Sequence, residues 1–229
     1  MVYFGKGIYT LSTAAKVLEM SPQKMRRWIN GYTYYNSNRE YRSIEPLLKP
    51  EFEYDNKDVI ISFLDLVELL FIKSFIGYNI SIQKIREAAI KASKFLNTSH
   101  PFAIQKMYTD GKTIFANLAK EESDPSLLDL LTEQYQLGEI IESTLYNCID
   151  FSIYDTIAER WWPLGKNNDI VLDPSRNMGQ PILHLYNIKT ELIYQLYKSN
   201  HSINEICDWY EIDKDSIEAA INFENKQIV

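Results

Sequence analysis

Cysteine is nearly absent from this chain: two in 229 residues, Cys148 and Cys207, far apart and without partner spacing. That excludes a disulfide-stapled scaffold and reads as a reduced, cytoplasmic protein. Histidine is as scarce. His100, His184 and His201 lack metal-ligand spacing and read as ordinary surface or turn residues, so no metal is expected. Apolar runs are short, and none reaches the roughly 20 residues of a membrane span. Met1–Thr10 has no apolar stretch behind a basic head, so no secretory signal is expected either. There is no Gly-rich phosphate loop and no Gly-x-Ser-x-Gly elbow. The paired acids Glu121-Glu122 read as a solvated turn, not an acid–base pair. Fixed-period repeats and low-complexity tracts are also missing. These absences leave a non-enzymatic globular chain with no catalytic residue and no cofactor.

The net charge of −7 is unevenly spread. Residues 1–110 hold 15 Lys and Arg against 11 Asp and Glu, whereas residues 111–229 hold 9 against 20. A basic head on an acidic body fits a protein that puts one end on phosphate and offers the other to a basic or neutral partner. Uneven charge on a plain acidic protein is the competing explanation.

The sharpest local signal lies in Tyr9–Gly31. Ser12 or Thr10 can cap a helix running to about Leu18, with Leu11, Ala14, Ala15 and Leu18 at helical spacing. A turn follows at Glu19-Met20. Ser21 is then an N-cap, Pro22 suits the first helical position, and Met25, Trp28 and Ile29 form one apolar face. Gly31 is placed to end the helix in a left-handed conformation. Two short helices around a tight turn match a helix-turn-helix. Off the apolar face lie Gln23, Lys24, Arg26, Arg27 and Asn30, side chains suited to base edges and phosphates. Gln23, Lys24 and Arg27 are expected nearest the bases, Arg26 and Asn30 nearer phosphate. A solvated amphipathic helix would carry similar residues.

The next stretch favours DNA. Tyr32, Tyr34, Tyr35, Asn36, Asn38, Arg39, Tyr41 and Arg42 share one turn-rich segment, and residues 6–49 hold eight basic and three acidic side chains. Tyr34, Arg39 and Arg42 are the expected sugar-phosphate contacts of this wing. Downstream, Phe63–Lys73 reads as a long apolar helix that packs in the core. A turn at Gly77 and a capped helix from Ser81 through Ile82 and Ile85 follow it. This order resembles the MerR-type winged helix-turn-helix, although the wing here is longer than usual, with Pro46, Pro50 and the acids Glu51, Glu53 and Asp55.

Further along, Phe102–Leu118 alternates around Asp110-Gly111 and predicts a β-hairpin, and Leu145–Phe151 is a candidate strand. Residues 164–188 carry Gly165, Asp173-Pro174 and Gly179-Gln180-Pro181 and read mostly as turns. Helices follow over Lys189–Ser199, Ser202–Tyr210 and Asp213–Phe223, the second opened by a Ser202-x-x-Glu205 capping box. The run Ala158–Lys166, then Ile170-Val171-Leu172-Asp173-Pro174, then Gly179-Gln180-Pro181-Ile182-Leu183, resembles bacterial antitoxins of the VapB type. Those proteins join a helix-turn-helix to a small C-terminal helical domain of unknown function. Three positions depart from that pattern: His184-Leu185-Tyr186-Asn187 replaces a Gly-Thr-Arg-like segment, Asn200 a glycine, and Glu211 a proline.

The expected architecture is therefore mainly α with a small β component. It comprises a winged helix-turn-helix domain over 1–97, a mixed hairpin region over 98–163 and a three-helix module over 164–229. The resemblance implies an antitoxin that represses its own operon on double-stranded DNA and neutralises a PIN-like ribonuclease toxin, and two-fold DNA sites favour a homodimer. Tyr194, Tyr197, Trp209 and Tyr210 are the expected anchors for that partner, with core packing as the alternative for the set. Two other readings stay open: a MerR-like regulator whose middle region senses a small ligand, and an interaction module whose head binds protein.

Overall fold

The computed structural model describes residues 5–52, 59–78, 80–105, 107 and 146–226. The chain opens with β1 (Tyr9–Thr10), α1 (Leu11–Val17) and α2 (Pro22–Asn30). A two-stranded wing follows, β2 (Tyr32–Tyr35) and β3 (Tyr41–Ile44). After it β4 (Ile60–Ile61) returns to pair antiparallel with β1. Thr10, not Ser12, caps α1, its side chain accepting from the Thr13 amide at 3.1 Å. Lys73 donates to the Leu18 carbonyl at 2.7 Å and so satisfies the other end of that helix.

Two long helices, α3 (Phe63–Gly77) and α4 (Ile82–Leu96), support the head. Helix α3 buries most of its residues because its sequence is apolar on nearly every side, and a Ser62–Asp65 capping box starts it. The apolar core runs without interruption from Tyr9 through α3 to Trp161 and Leu172. Within it Phe71 stacks on Phe102 at 4.5 Å.

The middle region corrects one expectation. Pro101–Ala103 forms a 3₁₀ turn, Ile104 bridges to Ile157, and Met107 is helical, so Phe102, Ala103 and Met107 do not lie in the first strand of a hairpin. The cause is local. Proline opens the turn, and the buried Glu68 carboxylate accepts from the Phe102 amide at 3.0 Å. The Asp110-Gly111 turn and Glu121-Glu122 lie outside the described residues. A hairpin does stand in this part of the chain, between β5 (Ile149–Phe151) and β6 (Ala158–Trp161). The first of its strands falls within the candidate Leu145–Phe151.

The C-terminal unit comprises a three-stranded antiparallel sheet, β7 (Ile170–Val171), β8 (Ile182–Leu183) and β9 (Ile188–Lys189). Three helices complete it: α5 (Thr190–Lys198), α6 (Ile203–Tyr210) and α7 (Lys214–Lys226). They enclose a second core around Ile193, Ile206, Ile217 and Phe223. Asn200 and Glu211 both have positive φ, +69° and +54°. Asparagine tolerates the left-handed region well. A proline at 211 could not adopt this φ, so this chain ends α6 in a way a proline would forbid.

The C-terminal unit is fastened to the head. Ile8 N–H donates to Met178 O at 2.9 Å, the buried Tyr9 hydroxyl to Gly179 O at 2.6 Å, and the Gln180 amide to Ile8 O at 2.8 Å. Lys16 on α1 pairs at 2.5 Å with Glu224 on α7, a carboxylate only 2% exposed that also accepts from Thr190 Oγ1. Burial, with the Asp173 charge nearby, pushes the Tyr9 phenol far above its ordinary pKa, so it stays a neutral donor. Trp161 and Leu172 exchange main-chain hydrogen bonds of 3.0 and 2.8 Å, joining the β5–β6 hairpin to the strand region after it.

Candidate nucleic-acid interface

Helix α2 is held by its buried face. Met25, Trp28 and Ile29 are 0–4% exposed, the Ser21 hydroxyl accepts from the Lys24 amide at 3.2 Å, and Pro22 occupies the first turn. Helical periodicity then puts Gln23, Arg27 and Asn30 along the middle of the opposite face, with Lys24 and Arg26 flanking it on either side. All five are exposed. Lys24 lies over the Trp28 ring at 5.2 Å and Arg27 over Tyr32 at 5.4 Å, cation–π contacts that orient both side chains. The first turn of α2 contains no acidic residue.

Gly31 sets where the wing leaves the helix. Its φ is +67° with an extended ψ of −170°, so it turns the chain through positive φ but not through the left-handed helical geometry expected for a helix end. A Cβ there would stand 2.3 Å from Ile44 O. In the wing, Tyr34 faces Arg42 and Tyr35 faces Tyr41 across the ladder. Alternation along each strand gathers Tyr32, Tyr34, Arg42 and Ile44 on one side and Thr33, Tyr35, Tyr41 and Ser43 on the other. Tyr34, Arg39 and Arg42 are exposed, Arg39 in the turn at φ +60°. Arg42 pairs with Glu40 at 2.6 Å. Asn36 Oδ1 accepts from the Asn38 and Glu40 amides at 3.0 and 2.9 Å, which closes the tip. All eight side chains expected to meet DNA are therefore solvent-facing, on the exposed face of α2 and along the wing beside it.

Two residues absent from that expected set also frame the site. Arg86 on α4 donates to Glu45 O at 2.7 Å and Pro46 O at 3.3 Å, and the Leu47 amide donates to Trp28 O at 2.7 Å. Together they bind the wing's trailing strand to α4 and α2. Nothing local in the sequence marks Arg86, because its partners are carbonyls about 40 positions away.

The expected partner anchors divide. Trp209 and Tyr197 are exposed, at 54% and 42%, and Trp209 meets the His201 ring edge-on at 4.7 Å. Tyr194 is buried at 8%, its hydroxyl donating to Asn225 at 3.0 Å, and Tyr210 is half-buried against the same core. Tyr194 adjoins Ile193 on the side of α5 that packs on α7, and that packing removes it from the surface.

The histidines divide too. His100 is not a surface residue. It is 6% exposed, with Nδ1 3.6 Å from Glu68 and 3.8 Å from Asp65, ion-pair rather than hydrogen-bond distances. Burial pulls the His100 pKa down, but the carboxylates of Glu68, Asp65 and Glu51 together hold it above the usual histidine range. Burial raises both Asp65 and Glu68. His184 is half-buried against Arg176, 2.7 Å away, and Trp162. Among the described residues no group of three or more His, Cys, Asp or Glu is placed to hold a metal, and no helix is long and apolar enough to cross a membrane.

Residues 7–89 match the model of a family described as a putative DNA-binding HTH domain, and residues 170–223 match a protein family of unknown function, DUF433. Over 227 residues the chain is 22% identical to the putative antitoxin VapB45 of Mycobacterium tuberculosis strain H37Rv, covering 96% of this chain and 94% of that protein. This chain resembles a VapB-type antitoxin with an N-terminal helix-turn-helix. A solved structure shares the fold. The crystal structure of Rv2018 from Mycobacterium tuberculosis superposes with a TM-score of 0.72 at 21% identity, covering 96% of this chain and all of that one. Mainly α architecture with small sheets, and a helix-turn-helix head, are shared.

Proposed function

We propose that this chain is the DNA-binding antitoxin of a toxin–antitoxin pair, acting without catalysis in the cytoplasm. It binds double-stranded DNA at its own promoter as a homodimer and neutralises a PIN-like ribonuclease toxin. The observation that carries the DNA half is the exposed face of α2, where Gln23, Lys24, Arg26, Arg27 and Asn30 stand clear of the core beside a basic and aromatic wing. Gln23, Lys24 and Arg27 read bases, while Arg26, Asn30, Tyr34, Arg39 and Arg42 hold the backbone. Two copies on a two-fold operator present two such helices. The likeness to VapB45 and the acidic C-terminal half support the partner half of the reading, with Tyr197 and Trp209 as its exposed anchors and Tyr210 at their edge. The division into a head over 1–97, a middle over 98–163 and a module over 164–229 assigns DNA to the first and the toxin to the last.

The test is a salt titration of binding to the chain's own upstream region, with Arg27→Ala alongside. Loss of a base contact costs about 1–3 kcal/mol and relaxes specificity at one position. Unchanged affinity in the variant removes α2 from the interface. Co-expression with the product of the adjacent gene tests the partner half: co-purification supports it, and its absence removes it.

A further inference from the structure

A groove of about 540 Å³ lies between α2, the base of the wing and the first two turns of α4. Small-molecule sites run from about 300 to 1,000 Å³. Its floor is apolar: Trp28 and Leu47 are buried, and Ile44 and Ile82 half-buried. Its rim is cationic, formed by Lys24, Arg27 and Arg86, and among the described residues no Asp or Glu lines it. The cations are positioned in advance, Lys24 over Trp28, Arg27 over Tyr32, and Arg86 on two main-chain carbonyls.

Apolar floor and one-signed rim together define the occupant. A duplex laid on α2 engages the rim, but its phosphates have no use for the apolar surface beneath. A neutral ring covers the floor and leaves the cations unanswered. We infer that this groove is a binding site for a small, flat organic anion, an aromatic ring bearing a carboxylate, with the ring on Ile44 and Ile82 beside the edge of Trp28 and the carboxylate at Lys24 and Arg27. Since those two cations belong to the DNA face, such an anion and DNA compete. That competition rests on the reading of α2 as a DNA-binding helix, whereas the groove's own affinity does not.

The test uses the full chain and 1-naphthoate as probe. The expected result is a saturable shift of the Trp28 indole N–H in ¹H–¹⁵N spectra. The neutral 1-naphthalenemethanol should bind about tenfold more weakly, in keeping with the loss of charge-assisted hydrogen bonds. Gln83→Glu, which adds an anion at the rim without touching the core, should weaken naphthoate several-fold while leaving the circular dichroism spectrum unchanged. Saturating naphthoate should also weaken binding of a labelled upstream duplex. No saturable shift, equal binding of the alcohol, or indifference to Gln83→Glu overturns the groove assignment. Simultaneous binding of naphthoate and duplex overturns the competition. If naphthoate binds as expected and no duplex binds even at low salt, the groove assignment is supported and the DNA reading fails alone.

Discussion

Replacing Gly31 by alanine tests the geometry on which the candidate interface depends. At φ +67° and ψ −170° the residue occupies backbone space that is essentially glycine's alone, and an alanine held there costs about 1–3 kcal/mol. Sterics add to this. The new Cβ would stand 2.3 Å from Ile44 O and 3.1 Å from Pro46 N, both main-chain atoms. They cannot swing aside freely, because Ile44 is in register with Tyr32, Arg86 grips the next two carbonyls, and the Leu47 amide is bonded to Trp28 O. Alanine also lowers the entropy of the unfolded chain, worth about 0.4–1 kcal/mol in the opposite direction, which is the smaller effect. The net expectation is destabilisation of roughly 3 kcal/mol. At about 2–4 °C per kcal/mol for a chain of this size, the melting temperature should fall by about 6–12 °C. Duplex affinity should fall too, since the wing must tilt away from α2 to admit the methyl group. A variant that melts within about 2 °C of the parent and binds DNA unchanged would show that α2 and the wing do not meet as described.

Three further outcomes can be checked. Lys16→Met leaves the Glu224 carboxylate buried with Thr190 as its one remaining partner among the described residues. It should cost about 3 kcal/mol in urea unfolding, and the double change Lys16→Met with Glu224→Met should recover much of that; equal losses in the two refute the pairing. The pKa values of His100, Asp65 and Glu68 are all raised, so the folded state binds more protons than the unfolded one, and stability from these groups is lost as pH rises. The His100 share is fully present below about pH 6.5 and fades above it, so chemical denaturation between pH 6 and 8 should show declining stability that flattens in His100→Asn. Trp209→Ala should abolish co-purification with the partner while leaving the melting temperature nearly unchanged, whereas Tyr194→Phe should cost about 1 kcal/mol of stability through the lost Asn225 bond and leave the partner bound.

The head was legible in the sequence because its local signals agree with its tertiary placement. Ser21, Pro22 and Gly31 mark both ends of α2, and Met25, Trp28 and Ile29 mark the face that is buried. The wing's exposed polar and aromatic alternation survives as a hairpin because its tip closes on itself through Asn36 and Glu40. Legibility fails where a distant partner decides the outcome. Alternation from Phe102 onward resembled a strand, yet Glu68, 34 positions earlier, captures the Phe102 amide and Phe71 stacks on its ring. Asp65 and Glu68 sit inside a run of sequence read as plain apolar core. Two acids at i and i+3 in such a run were a sign that a buried polar partner, here His100, would join them.

The candidate site is more legible in the sequence than the contacts that hold it. A surface that binds an external polymer must present its side chains outward from one short segment, so Gln23 through Arg42 are neighbours in sequence as well as in space. The contacts that hold this surface in place face no such constraint. Lys16 and Glu224 are 208 positions apart, and Tyr9 reaches Gly179 across 170. Through them the C-terminal module rests on β1 and α1, the elements that open the helix-turn-helix, and not on a free linker. A partner that docks on Trp209 and shifts α7 would therefore pull directly on α1 through Glu224, and DNA affinity should change with partner occupancy in the parent chain but much less in the Lys16→Met, Glu224→Met double variant. Equal coupling in both, measured by duplex titrations with and without the partner, would mean that the bridge is structural alone and the two ends act independently.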